Sequence, residues 1–245
     1  MKKKILSFVL ALCLIIPCAM VFTACGKKEE EPKAPTTLYV STEAELVSAV
    51  TKIADGGKIV LNADITFTSS LEVGNKFTLD LNGKTINNTE DLYNLSTKVW
   101  SLISVREGGD LTVVGDGVME AKENDCYIFD VRGGELTIED GSFNGNISVV
   151  YVLEGELVVN GGSFKIQQLS EPSNGSDERF TLNCEDGGYR SGVAKISVTG
   201  GTFRNYNPSN NLSEGANTDV LADGLTVETE TEGGATWYTV VPAAE

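Results

Sequence analysis

Histidine is absent from the 245-residue chain, which excludes His-dependent triads, imidazole general bases and His-ligated metals. Proline is scarce at 6 residues, and three of the 5 cysteines fall within the first 25 residues, so only Cys126 and Cys184 belong to the body of the protein. Positive charge is also short: 19 Lys and Arg face 35 Asp and Glu, a net charge of −16. Leaving out residues 1–24, which hold Lys2, Lys3 and Lys4 and no acid, 16 basic residues face 35 acidic ones and the charge is −19. Phosphate binding requires clustered positive charge, so no nucleic-acid partner is expected. Such acidity suits Ca²⁺, a hard cation that prefers oxygen ligands, and it equally suits a plain solvated surface. No Walker motif or dinucleotide-binding glycine loop is present. Any catalysis would fall to carboxylates, Lys, Arg or Tyr.

What is present begins with a charged start (Lys2, Lys3, Lys4), an apolar run over residues 5–21 broken by Pro17, and Thr23-Ala24-Cys25. That is the layout of a secretory signal, and the run is too short to span a bilayer. Phe22-Thr23-Ala24-Cys25 resembles the lipobox of bacterial lipoproteins, with Phe22 where that pattern has Leu. The resemblance implies a signal peptide over 1–24, a lipid on Cys25 and display on the outer face of the cell membrane. Residues 25–37 read as lipidated cysteine and charged, proline-bearing tether, reaching on the order of 40 Å at about 3.3 Å per residue. Cys25→Ala is expected to release the protein or leave it as precursor, which membrane fractionation checks.

With 41% apolar residues, residues 38–245 can bury a core as one domain. Beyond one amphipathic stretch near residue 50, no sustained 3.6-residue apolar period occurs, so an all-β fold is expected. The triplets Leu79-Asp80-Leu81, Leu111-Thr112-Val113, Leu136-Thr137-Ile138, Leu157-Val158-Val159 and Ile196-Ser197-Val198 each lead through Gly to a bulky apolar residue: Ile86, Met119, Phe143, Phe164 and Phe203. A second strand precedes the later triplets, at Ile103-Ser104-Val105, Phe129-Asp130-Val131, Val150-Tyr151-Val152 and Leu182-Asn183-Cys184, with the two-residue alternation of half-buried strands. Successive triplets lie 32, 25, 21 and 39 residues apart. Constant core positions with unequal spacers describe a solenoid whose extra length leaves as loops.

The repeats Leu-Val-Val-Asn-Gly-Gly-Ser-Phe (157–164) and Ile-Ser-Val-Thr-Gly-Gly-Thr-Phe (196–203) resemble the right-handed parallel β-helix of the pectate-lyase-like superfold over residues 58–241. The resemblance implies a single-stranded stack of about six coils with Phe143, Phe164 and Phe203 as an internal ladder, and it leaves activity open. Open ends of a solenoid need caps. Residues 42–54 supply a capping helix: Thr42 and Glu45 form a capping box, Leu46, Val47, Val50 and Ile53 an apolar face, and Gly56 a stop. Segments 223–227 and 237–241 read as a closing hairpin, with Trp237 and Tyr238 as lids. Cys184 shares the inward position of Val105, Val131 and Val152, whereas Cys126 lies in the column of Trp100 and Ile147, so no disulfide is expected.

Two places could carry function. Excursions at 87–102 and 165–179 leave at one corner and would wall a groove about 14 Å wide at the strand spacing, floored by 121–125 and 144–146. Tyr93, Lys122, Asp125, Asn144, Gln167 and Arg179 are its ligand-binding candidates, joined by Asp91, Gln168, Glu171 and Asp177, because rings and amides suit hydroxyl-rich ligands. The second place is the strand face where Arg106 and Arg132 stack beside Asp130, near a like-charge column of Asp110, Glu135 and Glu156 that the arginines would offset. Lyases of the resembled superfold use Ca²⁺-binding acids with an Arg or Lys base, which would cast Asp130 and Glu120 as metal ligands and Arg132 as base. Three readings follow: a monomeric, non-catalytic surface module binding a glycan or other surface ligand without cofactor, a Ca²⁺-assisted lyase of acidic polysaccharide, and a structural spacer.

Overall fold

The computed structural model describes residues 33–168 and 179–244. The expected signal, Cys25 and most of the tether, like Glu171 and Asp177, lie outside the described residues. Contacts divide the chain into residues 1–33 and 34–245. Contacts with the body begin by residue 35: Pro35 O accepts from Ala54 N–H, Thr36 O accepts from Lys58 N–H, and Thr37–Val40 is a strand parallel to Gly57–Leu61.

Strands predominate, and two largely parallel sheets form from segments distant in sequence. One column of the first sheet takes Thr37–Val40, Gly57–Leu61, Lys76–Asp80 and Asp110–Val114, then the later halves of Tyr127–Ile138 and Val150–Val159, and Ala194–Val198. A neighbouring column takes Leu71–Val73, Ser101–Arg106, the earlier halves of the same two long strands, and Leu182–Cys184. The second sheet takes Ile65–Phe67, Thr85–Asn88, Val118–Glu120, Ser142–Gly145, Ser163–Ile166 and Thr202–Arg204 in chain order, all parallel. Apolar side chains of both sheets meet in a single buried cluster.

The repeats set this register. Leu111, Leu136, Leu157 and Ile196 are partners in turn, as are Ile86, Met119, Phe143, Phe164 and Phe203. The first triplet is displaced: Phe77 and not Leu79 pairs with Leu111, and Leu79 pairs with Val113. A two-residue slip leaves the buried face unchanged, so alternation alone could not detect it. Phe164 stacks between Phe143 and Phe203 at centroid distances of 5.2 and 4.8 Å. Between the two columns the long strands bend at glycine. A Cβ on Gly155, whose φ is +105°, would sit 2.1 Å from Gly134 O, a combination that only glycine accommodates.

The first end is closed by helix Glu43–Lys52, where Thr42 Oγ1 accepts from Glu45 N–H at 3.2 Å and Glu45 Oε2 accepts from Ser41 N–H at 2.7 Å. Leu46, Ala49, Val50 and Ile53 form its buried face, whereas Val47 is 47% exposed. Gly56 is not its stop: the helix ends at Ile53 in extended conformation, and the φ of +70° at Gly56 serves the turn into Gly57–Leu61. A short helix, Asp186–Ser191, replaces the glycine bend after Leu182–Cys184. It absorbs part of the 39-residue spacing, which is therefore not spent wholly at the excursion corner.

The far end closes with the expected hairpin, Leu225–Glu232 and Ala235–Pro242, the latter antiparallel to Thr202–Arg204. Glu228, Glu230 and Glu232 charge its outer strand, a feature that discourages edge-to-edge pairing. Segment 205–222, unforeseen in the sequence, completes the closure. Tyr206 packs on Phe203, Val220 is buried, and Leu221 bridges Val198. Glu214 Oε1 accepts from Cys184 N–H at 2.7 Å. Burial pushes the Glu214 carboxyl up to about 7 from an ordinary 4.5, against the opposing pull of that hydrogen bond. The folded state therefore holds a proton between pH 4.5 and 7 that the unfolded chain has lost, so this group's contribution to stability falls as pH rises through that window. With allowance for partial exposure, the loss is roughly 2 kcal/mol. Glu214→Gln, a mimic of the neutral acid, should erase this component when thermal midpoints of variant and wild type are compared at pH 5 and pH 8. An unchanged difference between the two pH values would refute it.

Cys126 and Cys184 are buried and unpaired with each other, as expected. Burial drives the Cys126 thiol far up and the Cys184 thiol up to about 12, so both behave as small apolar core residues.

Candidate functional site

The first excursion is held to the body by one buried carboxylate. Asp125, 2% exposed, accepts from Asn88 Nδ2 at 2.7 Å, Trp100 Nε1 at 2.9 Å and Leu92 N–H at 3.2 Å. Its own carbonyl accepts from Asn146 Nδ2, and Asn88 Oδ1 accepts from Lys122 N–H. Both ends and the middle of the 88–100 segment thus converge on the residue read as groove floor. Asp125 consequently lies beneath the surface as an anchor, with its oxygens already engaged. Within the loop, Asn94 Oδ1 accepts from Ser96 and Thr97 N–H, and Asn94 N–H donates to Val99 O.

The other candidates take distinct places. Lys122 Nζ pairs with Asp91, whose hydrogen bond raises the lysine pKa. Asn144 Nδ2 donates to Glu120 Oε1 at 2.6 Å on adjacent strands of the second sheet. Gln167 Nε2 donates to Ala121 O, and Gln168 Nε2 reaches Asn146 Oδ1 at 3.0 Å and Asn124 Oδ1 at 3.2 Å. The two glutamines therefore tie their strand end back across 121–124, as a shared corner requires. Arg179 is described and engaged, while 169–178 of the second excursion lie outside the described residues. Tyr93 stands out at 48% exposure, with Lys98 Nζ 6.0 Å from its ring centre. An opening of about 400 Å³ lies between residues 68–72 and this loop, with Tyr93 and Asp91 on its wall, on the side of the earlier repeats.

Tyr93 also begins a row that sequence reading missed. Its ring meets Trp100 at 6.3 Å, Trp100 meets Tyr127 at 5.5 Å, and Tyr127 meets Tyr151 at 5.4 Å. Trp100, Tyr127 and Tyr151 are half-buried. The signal was available in part: Tyr151 falls at the register position of Asp130 and Ser104, an outward one. Tyr127 was hidden by a local irregularity, since Ile128 and Phe129 N–H both bond Val149 O and strict alternation fails there.

On the strand face, Arg132 Nε donates to Asp130 Oδ2 at 2.6 Å and its Nη2 to Lys98 O at 2.7 Å. Asp130 is fully buried, and its Oδ1 and the Ser104 Oγ have no hydrogen-bond partner among the described residues. Arg106 pairs with Glu72 at 2.9 Å and Lys76 with Asp110. The acidic column of Asp110, Glu135 and Glu156 is therefore flanked in register by Lys76 and Lys195 and is not offset by the arginines. The residues assigned to a lyase fall into two pairings. Asp130 is bound to Arg132 in the first sheet and Glu120 to Asn144 in the second. Among the described residues no three Asp, Glu or Cys side chains are arranged to hold a metal ion.

Comparison with protein-family models, curated proteins and solved structures finds no match for the chain.

The site as built is a row of four rings joined to a small opening, flanked by fixed ion pairs. Rings offer flat apolar faces, and the amides and hydroxyls around them offer directional hydrogen bonds.

Proposed function

We propose that the protein is a cell-surface, lipid-anchored module of the right-handed parallel β-helix type that binds a glycan along the ring row without acting on it chemically. The row from Tyr93 through Trp100 and Tyr127 to Tyr151 carries the reading. A pyranose presents an apolar face to an aromatic ring while its hydroxyls reach polar groups at the edge. Successive strands are about 4.8 Å apart, so a row climbing across repeats offers an extended chain several contacts in line. The anchor reading rests on the first 25 residues, and the β-helix reading on parallel register repeated through both sheets. Affinity electrophoresis in gels containing cell-wall glycans should show retardation of the wild type. Tyr93→Ala should reduce it about tenfold, the worth of one ring contact of roughly 1.4 kcal/mol. Equal mobility of wild type and variant in every glycan gel would dismiss the reading.

A further inference from the structure

We propose that the ligand of this site is an uncharged, hydroxyl-rich glycan and not a polyuronate. This rests on the glycan reading above and concerns which side of each hydrogen bond the protein supplies. The wall of the opening opposite Tyr93 is formed by Thr68, Ser69, Ser70 and Glu72. Thr68 Oγ1 donates to Glu43 Oε2 at 2.7 Å, Ser69 Oγ to Glu43 Oε1 at 3.4 Å, and Ser70 Oγ to Ser101 O at 2.6 Å. A hydroxyl has one proton to give. With those protons directed at Glu43 and at Ser101 O, these three turn lone pairs to the opening. Glu72 and Asp91 add carboxylate oxygens. The wall is therefore built of acceptors, and its complement is a ligand rich in O–H donors.

The cations around the row point the same way. Lys122 is held by Asp91, Arg106 by Glu72, and Arg132 by Asp130 and Lys98 O. Arg179 likewise has a partner, and the Lys98 ammonium stands near the Tyr93 ring. A carboxylate arriving on a polyuronate would have to break one of these ion pairs or draw Lys98 away from the Tyr93 ring, and it would approach a chain of net charge −16. Sugar hydroxyls face neither cost, since they donate to the acceptors and leave the pairs intact.

Affinity electrophoresis with neutral β-glucan or mannan against polygalacturonate or alginate tests this at low and moderate salt. The neutral polymers should retard the wild type at least tenfold more strongly than the polyuronates. Glu72→Gln with Asp91→Asn alters two exposed side chains, 52% and 74% accessible, and frees Arg106 and Lys122. The double variant should gain salt-sensitive retention on polyuronates. Stronger wild-type retention on polyuronates, lost in Tyr93→Ala, would overturn the inference while keeping the glycan reading. Retention on neither class, unaltered by Tyr93→Ala, would remove both.

Discussion

Phe164→Ala is expected to destabilise the domain by about 3–5 kcal/mol, the range for deleting a buried aromatic side chain. The ring is fully buried and stacked on both faces, at 5.2 Å from Phe143 and 4.8 Å from Phe203. Collapse cannot fill the space, because the three backbones are locked side by side as register partners in one sheet. Truncation removes contacts that neighbouring repeats make with each other, and where parallel strands of successive repeats lie side by side such interfaces carry the coupling between repeats. Urea unfolding should show a lower midpoint. A lower slope as well would mean that the end repeats now unfold separately from the rest. Phe164→Leu, which keeps most of the volume, should lose less than half as much. A loss under about 1 kcal/mol for the alanine variant would contradict a tightly packed ladder.

Asp125→Ala should have the second large effect, and one that reaches the site. Three donors, Asn88 Nδ2, Leu92 N–H and Trp100 Nε1, lose their shared acceptor. Stranding buried donors costs roughly 1–3 kcal/mol each where water cannot replace the partner, so about 3 kcal/mol is expected after the loop relaxes. The more telling readout is local. The loop carrying Tyr93 would lift from the body, Leu92 amide exchange should accelerate, and Trp100 emission should shift towards that of a solvated indole. Glycan retention should fall with them, although Asp125 itself is buried beneath the ring row. Unchanged amide exchange and emission would show that the loop is held by other means.

Those two residues also mark how far the sequence could be read. Phe164 was recognisable as core because it recurs after the same Gly-Gly pair as Phe203, and because burial of an aromatic at a fixed repeat position leaves few alternatives. Asp125 looked like a floor residue open to ligand. A lone acidic residue at a loop end carries no mark of its partners, and its three donors come from 25 to 37 residues earlier in the chain. The ring row was similarly hidden. Its four members sit in unrelated sequence contexts, and one of them, Tyr127, immediately precedes a strand irregularity that reverses the facing pattern. Which sheet holds Asp130 and which holds Glu120 is likewise unmarked in the sequence: Asp130 lies in the first and Glu120 in the second.

Repetition along the chain was sufficient for the strand-rich architecture, the order of the repeats, the inward residues, the capping helix and the closing hairpin. Each of these depends on local alternation and on residues that recur, and such patterns are written along a single strand. The exact register of the first repeat, the cap built from 205–222, the anchoring of the 88–100 loop and the alignment of Tyr93, Trp100, Tyr127 and Tyr151 emerged with the fold. They depend on distances between side chains brought together from separate repeats, and on which proton each hydroxyl has already given away. The missing histidines narrowed the available chemistry at the outset. On the proposed glycan reading, the engaged hydroxyls and paired cations around the opening narrow it again, towards an uncharged ligand.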